Sequence, residues 1–376
     1  MAVLATFVGG WGHTEPLLPL IRLAVDHGHT VTAAGQAAVI HRLRAEGCET
    51  VTIGPDTITG ERRPLVPVDR AKERLVARDH FVGEFGHQRG HDLGRLIERT
   101  PPDLVVCDEM DAGAVIAAEV AGVPCVTVSL LAAGRLVSHA VVGPAWDRLR
   151  ADFGLPPDPL GTRFGGTVRI TPAPSSFRDP NVPAPFDLHH VRPPIVDDVG
   201  ARSAGSRRVY CTIGTVFDVE SGDLFSRLVD ALSMLDAPSL LTTGNHVARA
   251  ELPPAPPHVD IEPFVPQRAV LGECAAVICH GGTGTVIAAL SLGIPVVVLP
   301  MGADQPDNAD RCMELGVGIV LDAVDARPAD IGEATRAVLT DKRFSRAAAR
   351  LAAEAAAQPP VAGVSAVLDL FDLIGR

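Results

Sequence analysis

The sequence predicts an α/β protein in which two sheets of parallel strands face each other across a cleft. Three observations carry that reading. Short continuous apolar runs alternate with helix-length segments, which is how parallel strands covered on both faces read. A frame of strand, turn, helix, Gly-x-Pro and strand occurs twice: Leu104 to Asp108, Val115 to Ala121, Gly122-Val123-Pro124 and Cys125 to Val128, then Val277 to His280, Val286 to Leu292, Gly293-Ile294-Pro295 and Val296 to Leu299. The starts of the two halves also correspond, since Val3 to Val8 ends at Gly9-Gly10 and Val209 to Ile213 ends at Gly214-Thr215. A length of 376 residues agrees with about two to three domains of ordinary size.

In the first half, Gly10-Trp11-Gly12-His13 follows the opening strand, and Thr14-Glu15-Pro16 leads into a helix through Leu17, Leu20, Ile21 and Ala24. Proline is favoured near the first helical turn, so His13 is expected at or just before the helix start. A helix N-terminus opposes a positive ring, so the imidazole is expected neutral and able to accept a proton. Asp108, at the end of a neighbouring strand, is placed to orient it, and the pair resembles the His and Asp of a hydrolase triad without its serine. Each also has a plainer reading, His13 as a helix cap and Asp108 as the N-cap of the helix that follows. His80, His87 and His91 recur at helical spacing, as a metal site or as a polar helix face or pocket wall. Phe81 and Phe85, four apart, either pack a helix into the core or line a pocket.

Thr171 to Arg208 is crowded with proline, and its later part, Asp197 to Arg207, reads as an interdomain linker. In the second half, Val277-Ile278-Cys279-His280 runs into Gly281-Gly282-Thr283-Gly284-Thr285 and then a helix, the build of a phosphate cradle: glycines let the backbone approach, and the helix start offers free N–H groups. The pattern GxGxxG and the P-loop lysine are both absent, which argues against a dinucleotide oxidoreductase and an NTPase. In the repeat, Asp108 stands where His280 stands. Ligands of parallel sheets collect beyond the carboxyl ends of the strands, so facing domains bring Asp108, His13 and His280 around one cleft. A base opposite a bound diphosphate describes a transfer in which the diphosphate leaves. After Pro359-Pro360, Val361 to Ile374 has apolar positions at helical spacing and is expected to pack back across the first domain.

The net charge of -12 disfavours general nucleic-acid binding. Lys72 and Lys342 are the only lysines, so nearly all positive charge is arginine. No signal peptide and no apolar run of membrane-spanning length is evident. Seven cysteines is an odd number, and Cys107, Cys125, Cys211 and Cys279 lie inside apolar strands, which fits buried thiols in a cytoplasmic enzyme. There is no CxxC and no zinc-type Cys/His spacing, so no metal is expected.

Gly12-His13 through Pro16-Leu17-Leu18, the Asp108 segment, Phe264-Val265-Pro266-Gln267, His280 to Thr285, and Asp304-Gln305 with Asn308 together resemble a GT-B glycosyltransferase of family one, the type by which actinomycetes decorate antibiotics and other natural products. The resemblance implies two Rossmann-like domains, divided as 1–196 for the acceptor, 197–207 as linker, 208–360 for the nucleotide sugar, and 361–376 as a helix returning to the first domain. It implies His13 as general base, held by Asp108, in an inverting, metal-independent transfer. His280, the amides of Gly282, Thr283, Gly284 and Thr285, and Thr215 would stabilise the departing diphosphate, with Gly10 and Gly12 allowing close approach. Phe264 would lie against the base, Val265 and Gln267 beside it, and Asp304 and Gln305 would meet sugar hydroxyls; Phe264 as a core aromatic is the alternative.

Relatives that use UDP-sugars usually carry a Glu eight residues after the histidine, where this chain has Ala288. An unpaired carboxylate beside a 2′-deoxyribose is costly, so a dTDP-linked deoxysugar is the expected co-substrate, with UDP-glucose as competitor and no further cofactor. The acceptor, an apolar aglycone of polyketide or enediyne type, is expected near Trp11, Phe81, Phe85 and Trp146. A homodimer is compatible with the sequence. The alternatives are a sugar-nucleotide epimerase of the same build and a non-catalytic sugar-nucleotide-binding partner of another transferase.

Overall fold

The computed structural model describes residues 1–56, 62–200, 205, 207–214 and 216–374. Among them the first sheet contains β1 (Ala2–Thr6), β2 (Thr30–Gly35), β3 (Glu49–Thr52), β4 (Leu104–Asp108), β5 (Cys125–Val128), β6 (Val168–Thr171) and β7 (Leu188–His190). The second contains β8 (Arg208–Thr212), β9 (Ser239–Thr242), β10 (Val259–Glu262), β11 (Cys274–Cys279), β12 (Val296–Val298) and β13 (Gly318–Val320). Their orders are β3-β2-β1-β4-β5-β6-β7 and β10-β9-β8-β11-β12-β13, with every neighbour parallel. Counted from the first strand of each half, both sheets share the doubly wound order, which reverses between β1 and β4 and between β8 and β11. The sequence repeat thus marks the strands on either side of each reversal. This is a GT-B arrangement, two Rossmann-like domains facing across a cleft.

The Gly-x-Pro signature has one physical meaning in both halves. Gly122 (φ 68) follows the helix Ala112–Ala121, and Gly293 (φ 71) follows the helix Thr283–Ser291. Each adopts the left-handed conformation that stops a helix, and the next residue's N–H turns back onto a helical carbonyl, Val123 onto Ala118 at 2.9 Å and Ile294 onto Ala289 at 3.0 Å. Proline then forbids further helix, and the following strand begins within two residues.

All seven cysteines are free and buried. No helix of the described residues is long and apolar enough to cross a membrane. The C-terminal segment forms a helix, Ser365–Ile374, after Pro359-Pro360. Val364 and Val367 enter the cluster of Val3, Leu17, Leu20 and Ile21, so the chain end packs on the first domain. Arg192 donates its N–H to the Pro359 carbonyl at 2.8 Å along the way.

Because Val367 is fully buried there, Val367→Ala removes two methyl groups from a packed site. The expected cost is about 2 kcal/mol, read as a melting midpoint several degrees lower; an unchanged Tm would show that the helix is not seated.

Candidate active site

β1 gives way to a turn and a four-residue helix, Trp11–Thr14. Gly9 has φ 85, and a Cβ there would lie 2.9 Å from the His13 ring, so the turn requires glycine while the imidazole is in place. Gln36 fixes this turn by donating its Nε2–H to the Gly9 carbonyl at 2.7 Å. His13 Nδ1 lies 3.4 Å from Asp108 Oδ1; the imidazole is 29% exposed and the carboxylate is fully buried. Asp108 also accepts the N–H groups of Val8 at 2.8 Å and Met110 at 2.7 Å. It does not cap the next helix. That task falls to Asp111, which accepts from Ala114 N at 3.2 Å and is gripped by Arg89 at 2.9 and 2.6 Å and by Thr6 Oγ1 at 2.9 Å.

The expectation that a helix start lowers the His13 pKa is not met, because the ring rests on the Asp108 carboxylate. Burial lowers its pKa, but the hydrogen bond and charge of Asp108, joined by Asp304 and Glu109, carry it above the ordinary 6.5. Asp304 belongs to the second domain, so a charge from across the cleft adds to the effect. Burial raises the Asp108 carboxyl above its ordinary 3.8, against the opposing pull of His13 and the Val8 N–H.

On the second domain, β11 ends at Cys279, and Gly281 (φ 93) turns the chain into the helix Thr283–Ser291. Gly282 caps that helix without a side chain, and the first backbone bond into it runs from Val286 N to Gly282 O at 3.1 Å. The amides of Thr283, Gly284 and Thr285 therefore precede the ladder and have no carbonyl one turn back. A Cβ on Gly284 would meet nothing within 4 Å, so the approach to these amides is open.

Glycines enclose the His280 ring: a Cβ on Gly214 would lie 2.9 Å from Cε1, and one on Gly282 2.5 Å from Nε2. Burial pushes His280 down to about 4, with the Thr212 backbone opposing only in part. Its Nδ1 is buried without a hydrogen-bond partner among the described residues. A neutral ring with an unsatisfied nitrogen, beside free helix amides, suits an anionic oxygen.

Asp304 Oδ2 accepts from Thr283 Oγ1 at 2.6 Å and Asn308 Nδ2 at 2.7 Å, and burial raises its pKa. Gln305 turns its Oε1 to the N–H groups of Met301 at 2.8 Å and Gly302 at 3.2 Å, bracing a loop in which Ala303 has φ 50. That oxygen is committed to backbone. Gln267 donates to Thr285 Oγ1 at 2.8 Å. Val265 is half-buried, and Phe264 is 56% exposed, which removes its core reading. Thr215 lies outside the described residues.

On the acceptor side, Trp11 is half-buried under the Arg42 guanidinium, 5.1 Å from its centroid. Phe81 and Phe85 lie on a π-helical stretch, Val76–Phe85, and share one face of it. Their rings are 6.1 Å apart and both are half-buried. The histidines divide between this stretch and the α-helix Gly86–Arg99 that follows. His80 meets Glu84 at 3.0 Å and Phe85, while His87 and His91 close on Phe153. No group of three side chains suited to hold a metal occurs among the described residues.

Trp146 corrects the sequence reading. It is fully buried, donates Nε1–H to Asp158 at 3.0 Å and packs edge-on against Phe164, so it is a core residue that no acceptor reaches. Gly9, Gln36, Thr6, Arg89 and Asp111 were not anticipated at the site. Only Asp111 left a local signal, as an acidic residue directly before an alanine-rich helix.

Residues 226–370 match the family described as Erythromycin biosynthesis protein CIII-like, C-terminal domain. Over nearly its full length the chain is similar to elloramycin glycosyltransferase ElmGT of Streptomyces olivaceus, with 31% identity over 389 residues, 98% of this chain and 97% of that one. It is also similar to 10-deoxymethynolide desosaminyltransferase of Streptomyces venezuelae, 28% identical over 418 residues, 97% of this chain and 95% of the other. Among solved structures, glycosyltransferase VinC in complex with dTDP superposes with a TM-score of 0.69 at 22% identity, covering 100% of both chains.

The two imidazoles should titrate on opposite sides of an ordinary histidine. Proton NMR is expected to find His13 above 6.5 and His280 near about 4, with Asp108→Asn moving His13 down. For His280 the unfolded chain binds the extra proton between these values, so its burial costs stability as pH falls from about 6.5 towards 4. A His13 midpoint below 6.5 would contradict the Asp108 contact.

Proposed function

We infer, for a chain that belongs to family one of the GT-B glycosyltransferases, the branch that decorates antibiotics and other natural products, that this glycosyltransferase moves a sugar from a nucleotide diphosphate to a hydroxyl of an apolar aglycone with inversion at the anomeric carbon. The observation that carries the reading is the His13–Asp108 pair, held at the reversal of the first sheet.

In this reading His13 Nδ1–H donates to Asp108, which leaves Nε2 to take the proton of the acceptor hydroxyl. The hydroxyl oxygen forms its bond to the anomeric carbon as the bond from that carbon to the diphosphate oxygen breaks, and the bonding pair leaves with the diphosphate. His280, the amides of Gly282 to Thr285, and Thr215 receive that charge with fixed dipoles and no metal. Gly10 and Gly12 admit the donor from the opposite side. Phe264, exposed beside Val265 and Gln267, is the stacking surface for the base. Asp304 meets the sugar, and Gln305 supports the loop beside it.

Trp11, Phe81 and Phe85 are proposed to border the acceptor. With these roles go the division 1–196, 197–207, 208–360 and 361–376, of which 57–61, 201–204, 206, 215 and 375–376 lie outside the described residues. The setting is the cytoplasm.

A dTDP-linked deoxysugar is the proposed donor. Ala288 stands where a ribose-binding Glu would be stranded by a 2′-deoxyribose. VinC was crystallised with dTDP, and the Streptomyces venezuelae relative is named for a desosaminyl group.

Incubating the protein with a panel of dTDP-sugars and aglycones, followed by mass spectrometry, is the direct test. A glycosylated aglycone is expected, and a rearranged sugar nucleotide formed without acceptor would favour an epimerase instead. His13→Ala should lower kcat/KM about 10²- to 10⁴-fold while dTDP affinity stays within about twofold, because the base serves the acceptor. Protonated His13 cannot accept a proton, so activity should fall on the acid side with an apparent pKa above 6.5. Calorimetry should give tighter binding for dTDP than for UDP; the reverse order would remove the deoxyribose argument.

A further inference from the structure

The second domain contains another histidine held by a buried carboxylate, built like the first. His246 Nδ1 lies 2.9 Å from Asp218 Oδ2, with the imidazole 29% exposed and the carboxylate fully buried. The same oxygen accepts the N–H groups of Asn245 at 3.0 Å and His246 at 3.3 Å. Gly244 (φ 75) precedes them, and a Cβ there would run into that carboxylate. Asp218 thus dictates both the loop's glycine and the orientation of its histidine. Its other oxygen, Oδ1, is buried with no partner among the described residues, a cost that a plain loop staple does not require.

We propose that His246 contacts the nucleoside of the donor, oriented from beneath by Asp218 and from the first domain by Arg62. The inference rests on the donor reading above and adds a residue to it. Two observations fix the location. Thr243 N donates to Glu262 O at 3.0 Å and Gly244 N to Pro263 O at 2.9 Å, which lays the loop after β9 alongside the residue before Phe264. On its other flank, Phe217, next to Asp218, has its ring 6.1 Å from that of His280. The dyad therefore stands between the proposed stacking surface and the proposed diphosphate cradle, where a nucleoside has to lie.

Its chemistry suits that place. Nδ1–H donating to Asp218 fixes the ring's orientation and leaves Nε2 as the atom that meets an N–H or O–H of the nucleoside.

The first domain reaches this loop directly. Arg62 donates Nε–H to the His246 carbonyl at 3.1 Å and grips Glu251 at 2.6 and 2.9 Å. Next to it, Arg63 N donates to the Val219 carbonyl at 2.7 Å, and Leu65 packs against Gly222. Both loops that carry the dyad, 217–222 and 244–251, are therefore held from across the cleft. Arg62 acts through His246 and is a positioning residue.

The test is calorimetry with dTDP together with steady-state kinetics. His246→Ala is expected to raise the dTDP Kd and the donor KM together by about five- to tenfold, the loss of one hydrogen bond. Acceptor KM, kcat at saturating donor and Tm should stay close to wild type, which a merely structural role would not produce. Arg62→Ala, a surface change that should not disturb folding, is expected to raise the dTDP Kd about two- to threefold, and adding Glu251→Ala should cost little more, because both act on one contact. A His246→Ala protein that binds dTDP within twofold of wild type, or that loses only kcat, overturns the proposal. Wild-type protein that binds neither dTDP nor UDP is a different result, and it defeats the donor reading itself.

Discussion

A buried negative charge at the reversal point of the first sheet organises the cleft. An isolated carboxylate in a protein interior is prohibitively costly, so Asp108 exists there only because several donors converge on it. Val8 lies just past β1 and Met110 just past β4, and these strands are neighbours that lead their chains to opposite sides of the sheet. One carboxylate therefore ties together the two strand ends that diverge. His13 completes the set, and the direction of its ring follows from Asp108. Below, the Asp111–Arg89–Thr6 cluster balances a second buried carboxylate three residues on, which would otherwise repel the first.

The second domain repeats the strand order and inverts the electrostatics. Where the first sheet ends in an acid that draws a proton towards His13, the second ends in His280, caged by Gly214 and Gly282 and driven to the neutral form by burial. Glycine does different work in the two places. Gly9 clears room for a ring that must be held by charge, whereas Gly214 and Gly282 strip a ring of solvent so that its hydrogen-bonding capacity is kept for a ligand. In the mechanism proposed above, charge on one wall and neutral donors on the other keep the proton and the anion apart.

How much of this was legible in the sequence depended on how local each cause is. Buried parallel strands announce themselves as short apolar runs, and Gly122 and Gly293 mark helix ends because a left-handed residue is needed within one turn. The nearness of His13 and Asp108, 95 positions apart, was legible only through the repeat, which put both at carboxyl ends of central strands. Long-range polar contacts had no such guide. Nothing near Asp111 told which acid would cap and which would face the histidine, and the sign of the His13 shift depended on carboxylates distant in sequence, Asp108 first among them. Trp146 failed for a related reason: an aromatic among small residues reads alike whether it lines a pocket or fills a core, and the deciding partner, Asp158, comes only after the helix has ended. The four-residue spacing did bring Phe81 beside Phe85 and His87 beside His91, although the first pair sits on a π-helical stretch.

The seam between the domains is uneven, and the unevenness has a mechanical consequence. Part of it is made of partly exposed ion pairs: Arg70 with Asp310 at 2.7 Å, Arg135 with Asp310 at 2.8 Å and Glu314 at 3.0 Å, and Arg62 with Glu251. Such pairs exchange for water at little net cost. Near the chain crossings it is apolar. Phe177 of the first domain is fully buried in a cluster of the second, and Val364 and Val367, beyond the second domain, are buried in a cluster of the first. Separating those contacts exposes apolar surface at roughly 25 cal/mol per Å². The seam therefore combines pairs that exchange for water at little cost with apolar contacts that resist separation.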